Sequence, residues 1–241
     1  MRKEQTAGEA RSRGACGYTC AVMSETPAGA AEPENHSADD TQSAAEIRAG
    51  HAARGTWMIL RGAAGFIFGL VTVFFPREQI SGPAQLALRV DTADYLVIGY
   101  LIVQGLLILG FARAVTTSAR TPVLGQAVIV IPAIIFLFLA EQPGQLRAAV
   151  AVWALLHAAC ELWLWSYVRR LPNSSDFLIV GGIHALIGII IAFGDDMGAL
   201  TVIGFTGAGM LASGVLYMLG GYSRRNLAAQ ATGTSGTEGT D

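Results

Sequence analysis

Lysine is almost missing from this chain: Lys3 is the only one, and the other fifteen of its sixteen basic residues are arginine. Charge of either sign is scarce, at 14% of 241 residues, where a soluble domain carries about 25%. The net charge is −2 and no basic stripe occurs, which argues against a nucleic-acid partner. Cysteine is limited to Cys16, Cys20 and Cys160, too few for a disulfide framework. Cys16 and Cys20 would make a metal-ligand group with His36, but their polar surroundings read as free thiols in a tail. Catalytic signatures are missing too. The glycines near residue 65 are followed by no Gly-Lys-Ser/Thr, and no Gly-x-Ser-x-Gly, His-Glu-x-x-His or paired-carboxylate pattern is present. The sequence therefore predicts neither an enzyme nor a cofactor, and no metal site.

What is present is apolar and unevenly distributed. Mean hydropathy is +0.47 and 52% of residues are hydrophobic. Residues 1–53 hold 13 of the 34 charged side chains and no Leu, Phe or Trp, so too little apolar surface is available there to offset ordering entropy. They read as a disordered tail with no signal-peptide core, and Met23 offers a second start. From there the expectation is a six-helix transmembrane domain over 54–222 and a short disordered tail over 223–241.

A span needs about 20 apolar residues to cross roughly 30 Å of hydrocarbon. Six segments meet or approach that length: Trp57–Phe75, Tyr95–Ala114, Pro122–Ala140, Leu146–Val168, Phe177–Phe193 and Met197–Leu219. None carries the polar stripe of a soluble helix. With the N-terminus inside, the inner flanks carry Arg54, Arg61, Arg113, Arg120, Arg169, Arg170, Arg224 and Arg225, and the outer loops carry only Arg77, Arg89 and Arg147. That bias, with an inner belt of Trp57, Trp163, Trp165, Tyr167, Tyr217 and Tyr222, predicts both termini in the cytoplasm. Arg61 is expected to snorkel to the inner surface. Asp195 and Asp196 read as solvated residues of a tight outer turn.

The spans repeat in pairs. Gly62 to Gly69, Gly125 to Pro132 and Gly181 to Gly188 are each seven residues apart. Val97-Ile98-Gly99-Tyr100 matches Val202-Ile203-Gly204-Phe205, and aligning Tyr100 with Trp153 sets Gln104 opposite His157. Three tandem helical hairpins account for this. Gly62, Gly65 and Gly69, with Gly204, Ala208 and Ala212, are predicted packing faces, either within the bundle or as a homo-oligomer seam.

The stretch Trp57-Met-Ile-Leu-Arg61-Gly62-Ala-Ala-Gly65-Phe-Ile-Phe-Gly69-Leu, closing at Phe75-Pro76, resembles the first helix of the HdeD-like family. Gly99-Tyr100 and Gly105 resemble its second helix, and Glu161 its glutamate-bearing even helices. The likeness covers roughly 55–220. It departs at the long charged first outer loop, Pro76–Asp94, and at the degraded glycine motif of the third helix. It implies a small multi-pass protein of the bacterial inner membrane, built from three two-helix repeats and associated with acid resistance and stress. It implies no catalytic residue.

Ionisable groups at membrane depth are expensive, so each one marks a candidate site. Glu161 is the only acidic residue well inside a span, and His157, four residues earlier, shares its helix face. His184 lies at matching depth in the fifth helix, and Gln104 is a candidate fourth member. Together they can glue helices, relay protons or, as two histidines and a carboxylate, hold a metal. The functional expectations are acid or envelope stress tolerance, a small proton-coupled transporter or channel lined by this cluster, or a scaffold that recruits a partner through residues 1–53. The lipid bilayer is the expected surrounding partner.

Overall fold

The structure, a computed structural model, describes residues 36–76, 78–79, 86–170 and 174–233. The cysteines at 16 and 20, the tail up to residue 35 and residues 234–241 lie outside the described residues. The chain forms α1 (His36–Phe74), α2 (Val90–Ala114), α3 (Thr117–Phe138), α4 (Pro143–Val168), α5 (Ser175–Phe193) and α6 (Ala199–Gly233). Two residues on each side of the first loop, β1 (Glu78–Gln79) and β2 (Leu86–Ala87), pair antiparallel. All six helices contain a stretch long and apolar enough to cross a membrane. An even number of crossings puts both ends of the bundle's chain on one side.

Two helices run beyond their apolar stretches. Residues 36–53, read from sequence as tail, continue α1, and Ala44-Ala45-Glu46-Ile47-Arg48-Ala49 is a run of mostly strong helix formers. At the other end α6 continues past Leu219 through Asn226-Leu-Ala-Ala-Gln. Local signals set the remaining boundaries. Pro76 follows the end of α1, and α4 opens with Pro143 at its first turn and a reciprocal capping pair between Gln142 and Gln145. Arg54 Nε donates to the Ala114 carbonyl at the end of α2 (2.9 Å), and Arg147 donates to the Gly194 carbonyl after α5. Asp196, exposed in the α5–α6 turn, takes a left-handed conformation with φ of 58°. Aspartate is among the few residues that tolerate this.

The helices pack as a closed ring of three hairpins. Within each hairpin the two helices touch, and each even helix also packs on the odd helix of the next hairpin: α2 on α3, α4 on α5, α6 on α1. The three even helices touch one another, and among the described residues no odd helix touches another odd helix. The three-hairpin reading of the sequence therefore has a spatial counterpart, with the even helices inside.

The tightest seam joins α1 and α6, where glycines at seven-residue intervals face each other: Gly55 with Gly221, Gly62 with Gly214, Gly69 with Gly207. A Cβ added at Gly62 would stand 2.5 Å from the Gly214 carbonyl oxygen, and one at Gly69 would stand 2.6 Å from that of Gly207. Backbone touches backbone along this seam. Gly65 also packs here, its added Cβ 3.0 Å from the Met210 carbonyl oxygen. Gly204, Ala208 and Ala212, the face expected on α6, are instead exposed, and nothing lies within 4 Å of a Cβ at Gly204. The small residues that pack α6 recur every seven positions on a different face from that four-residue series.

Candidate functional site

Two apolar clusters fill the bundle. One gathers Phe68, Val130, Ala154, Ile187 and Met210, and the other gathers Met58, Val123, Leu164, Val180 and Tyr217. On α1, α3, α4 and α5 the residues between those levels are Arg61, Gln126, His157 with Glu161, and His184, and all five are buried. A polar layer thus crosses the interior between two greasy ones. Glu161 lies seven residues, about 10 Å, from the Val168 end of α4.

Glu161 is the hub. Its Oε1 accepts a hydrogen bond from the Tyr217 hydroxyl on α6 and lies 3.3 Å from His157 Nε2. Its Oε2 lies 3.0 Å from His184 Nδ1 on α5. That nitrogen is also 2.9 Å from the Val180 carbonyl, one turn back on the same helix, and Oε2 itself accepts no aligned hydrogen bond. The two imidazoles face each other with centroids 4.8 Å apart. From α1 the Arg61 guanidinium comes within 4.0 Å of Glu161 Oε1 and donates to Gln126 Oε1 at 3.0 Å. Its faces are covered by aromatic rings, with Tyr217 at 4.8 Å and Phe111 at 5.5 Å. Such stacking suits guanidinium, which is more weakly hydrated than ammonium.

Arg61 therefore does not snorkel. Its side chain is completely buried, because a carboxylate, an amide oxygen and two rings in the interior replace the water it would otherwise seek. His157, Glu161 and His184 come together as their spacing suggested. Gln104 is buried on α2, but its Oε1 accepts no hydrogen bond and none joins it to the cluster. Gln126, not singled out from sequence, and Tyr217, read there as part of the inner aromatic belt but buried instead, complete the group. Gln126 directly follows Gly125, the repeat partner of Gly62, as Arg61 directly precedes Gly62. Polar residues beside aligned glycines were the available signal.

Four helices contribute charge or hydrogen bonds to one carboxylate, a fifth joins through Gln126 and Arg61, and several polar atoms around it are left over. Arg61 Nε and Nη1, Gln126 Nε2 and His157 Nδ1 are buried without a partner. Buried polar atoms are rarely left this way unless water, an ion or a second conformation serves them. His157, Glu161 and His184 each present a ligand atom within 4.8 Å of the others, which is the inventory of a metal site. The neighbouring guanidinium makes an added cation costly in a medium that screens poorly. The same group can instead exchange a proton. Glu161 and Arg61 cancel in charge, so protonating either imidazole leaves one uncompensated positive charge in a buried layer.

Comparison with known protein families, curated proteins and solved structures gives no match. The site therefore rests on its own geometry, in a bundle whose six apolar helices suit a multi-pass membrane protein.

Proposed function

We propose that this protein is a non-enzymatic, multi-pass protein of the bacterial cytoplasmic membrane that responds to acid through its intramembrane His–Glu–Arg cluster. The observation that carries this reading is Glu161, held between two buried imidazoles and faced by a buried guanidinium. Imidazole is the side chain whose ordinary titration falls between pH 5 and 8. A proton added there upsets the charge balance of a buried layer, so the bundle must rearrange, take up water or pass the proton on. Resemblance to an acid-resistance family points the same way, and the arginine bias favours both termini in the cytoplasm. A transporter with an open polar pathway is less well supported, since Arg61, Gln126, His157, Glu161 and His184 are all buried.

The test is a pH titration of the protein in nanodiscs, followed by intrinsic fluorescence and hydrogen exchange. Wild type should show a transition between pH 5 and 8 that His184→Asn and Glu161→Gln remove. Asp195→Asn, in the exposed α5–α6 turn, should keep it. A wild-type signal that is flat from pH 4 to 8 refutes the reading. Unchanged acid survival after deletion of the gene refutes the physiological half.

A further inference from the structure

A groove runs along α3 and α4 on the outside of the bundle, away from the polar layer's hydrogen bonds. It encloses about 480 Å³, within the roughly 300–1,000 Å³ of typical ligand pockets. On α3 it is lined by Ile129, Pro132, Ala133 and Phe136, just past its end by Leu139, and on α4 by residues from Gln145 to Leu156. Gln145, at the end next to the α3–α4 turn, is the only side chain with a polar amide in the lining. The depth comes from small side chains, Ala133, Ala148 and Ala149, between larger ones. The surrounding α3 surface, with Val128, Ile131, Ile135 and Phe138, is exposed and apolar. In a bundle of six membrane-spanning helices that surface meets hydrocarbon.

We propose that this groove binds one lipid acyl chain of the leaflet on the side of the α3–α4 turn. Its length decides the occupant. Gln145 to Leu156 is eleven helical steps, about 16 Å, and half of a roughly 30 Å hydrocarbon core is about 15 Å. The groove begins near the membrane surface, at its one polar residue, and ends near the midplane. A single chain hanging from a headgroup at Gln145 fills it from end to end.

The inner wall is Trp153, which is 2% exposed. Its ring lies 5.4 Å from His157 and 6.0 Å from His184, centroid to centroid, so one indole separates the chain from the histidines. The proposal does not depend on those histidines changing protonation.

Trp153 also reports occupancy. A protein with Trp57→Phe, Trp163→Phe and Trp165→Phe keeps it as the sole tryptophan, and a second protein retains Trp163 alone. Each is placed in phosphatidylcholine vesicles with and without mid-chain bromine, a contact-range quencher. Brominated lipid should lower Trp153 emission at least twofold. Ala149→Leu, which fills the groove, should abolish most of that loss, while half-exposed Trp163 stays quenched. Ala148→Leu, on the exposed side of the same wall, serves if Ala149→Leu does not fold. Trp153 emission indifferent to bromine while Trp163 is quenched overturns the proposal. So does quenching that survives both filled grooves, because ordinary boundary lipid then accounts for it.

Discussion

Replacing Gly62 with alanine should destabilise the bundle, although alanine is the better helix former. In an exposed helix the change favours the fold by about 0.8–1.0 kcal/mol. At Gly62 the new methyl would stand 2.5 Å from the Gly214 carbonyl oxygen and 2.7 Å from the Met218 amide nitrogen. Carbon normally approaches such atoms no closer than about 3.3 Å. Both neighbours are backbone, so no rotamer change relieves the contact, and α1 and α6 must separate by nearly an ångström along a seam close-packed at three glycine pairs. Overpacking of this kind costs about 1–3 kcal/mol, so the net effect should be a loss of up to about 2 kcal/mol. Gly204→Ala is the internal control: it is exposed, with nothing within 4 Å of its added Cβ, and should be neutral or slightly stabilising. Reversible unfolding in mixed micelles measures both. If Gly62→Ala proves as stable as Gly204→Ala, the α1–α6 seam is not in backbone contact and the helix arrangement drawn from it is wrong.

Glu161→Gln should cost about 3–5 kcal/mol in the same assay, because it leaves the Arg61 guanidinium buried without a counter-charge. Tyr217→Phe removes only the hydroxyl bonded to that carboxylate and should cost about 1.5–3 kcal/mol. Arg224→Gln breaks the 2.9 Å pair with Asp176, which keeps partial contact with solvent, and should cost no more than about 1 kcal/mol. An Arg224 effect as large as that of Glu161 would mean that the polar layer has no special standing.

Much of the fold was legible because hydropathy reports on single helices, which the bilayer forces to satisfy their own backbones. The apolar segments fell where the helices are, and the seven-residue glycine spacing of the first span was half of the α1–α6 seam. Its other half, Gly207, Gly214 and Gly221, was hidden because α6 also carries the more conspicuous Gly204, Ala208 and Ala212 on its exposed side. Partner faces are a property of pairs of helices, and a single segment does not say which of two small-residue rows is turned inward. The site divides the same way. His157 and Glu161 were legible through their shared helix face, but Arg61 near a span end fits snorkelling equally well until Gln126 and Tyr217 are seen opposite it. Gln104 shows the converse: repeat alignment gave it the right burial without giving it a bond.

That alignment also separates packing from chemistry. The position of Glu161 corresponds to Ile108 in the first hairpin and Ser213 in the third, and that of His157 to Gln104 and Gly209. All six are buried. The fold therefore turns these positions inward, and only the middle hairpin fills them with ionisable groups. If the cluster were needed only to hold helices together, apolar residues there would serve as they do at Ile108. Arg61→Met combined with Glu161→Leu tests this, since replacing a buried ion pair by apolar groups is often neutral or stabilising by about 1–4 kcal/mol. The double variant should recover most of the stability lost in Glu161→Gln alone, yet show no transition between pH 5 and 8. A double variant that stays as unstable as the single one would mean that the pair is structural glue. One that folds well and keeps its pH transition would move the proton-responsive group away from Glu161.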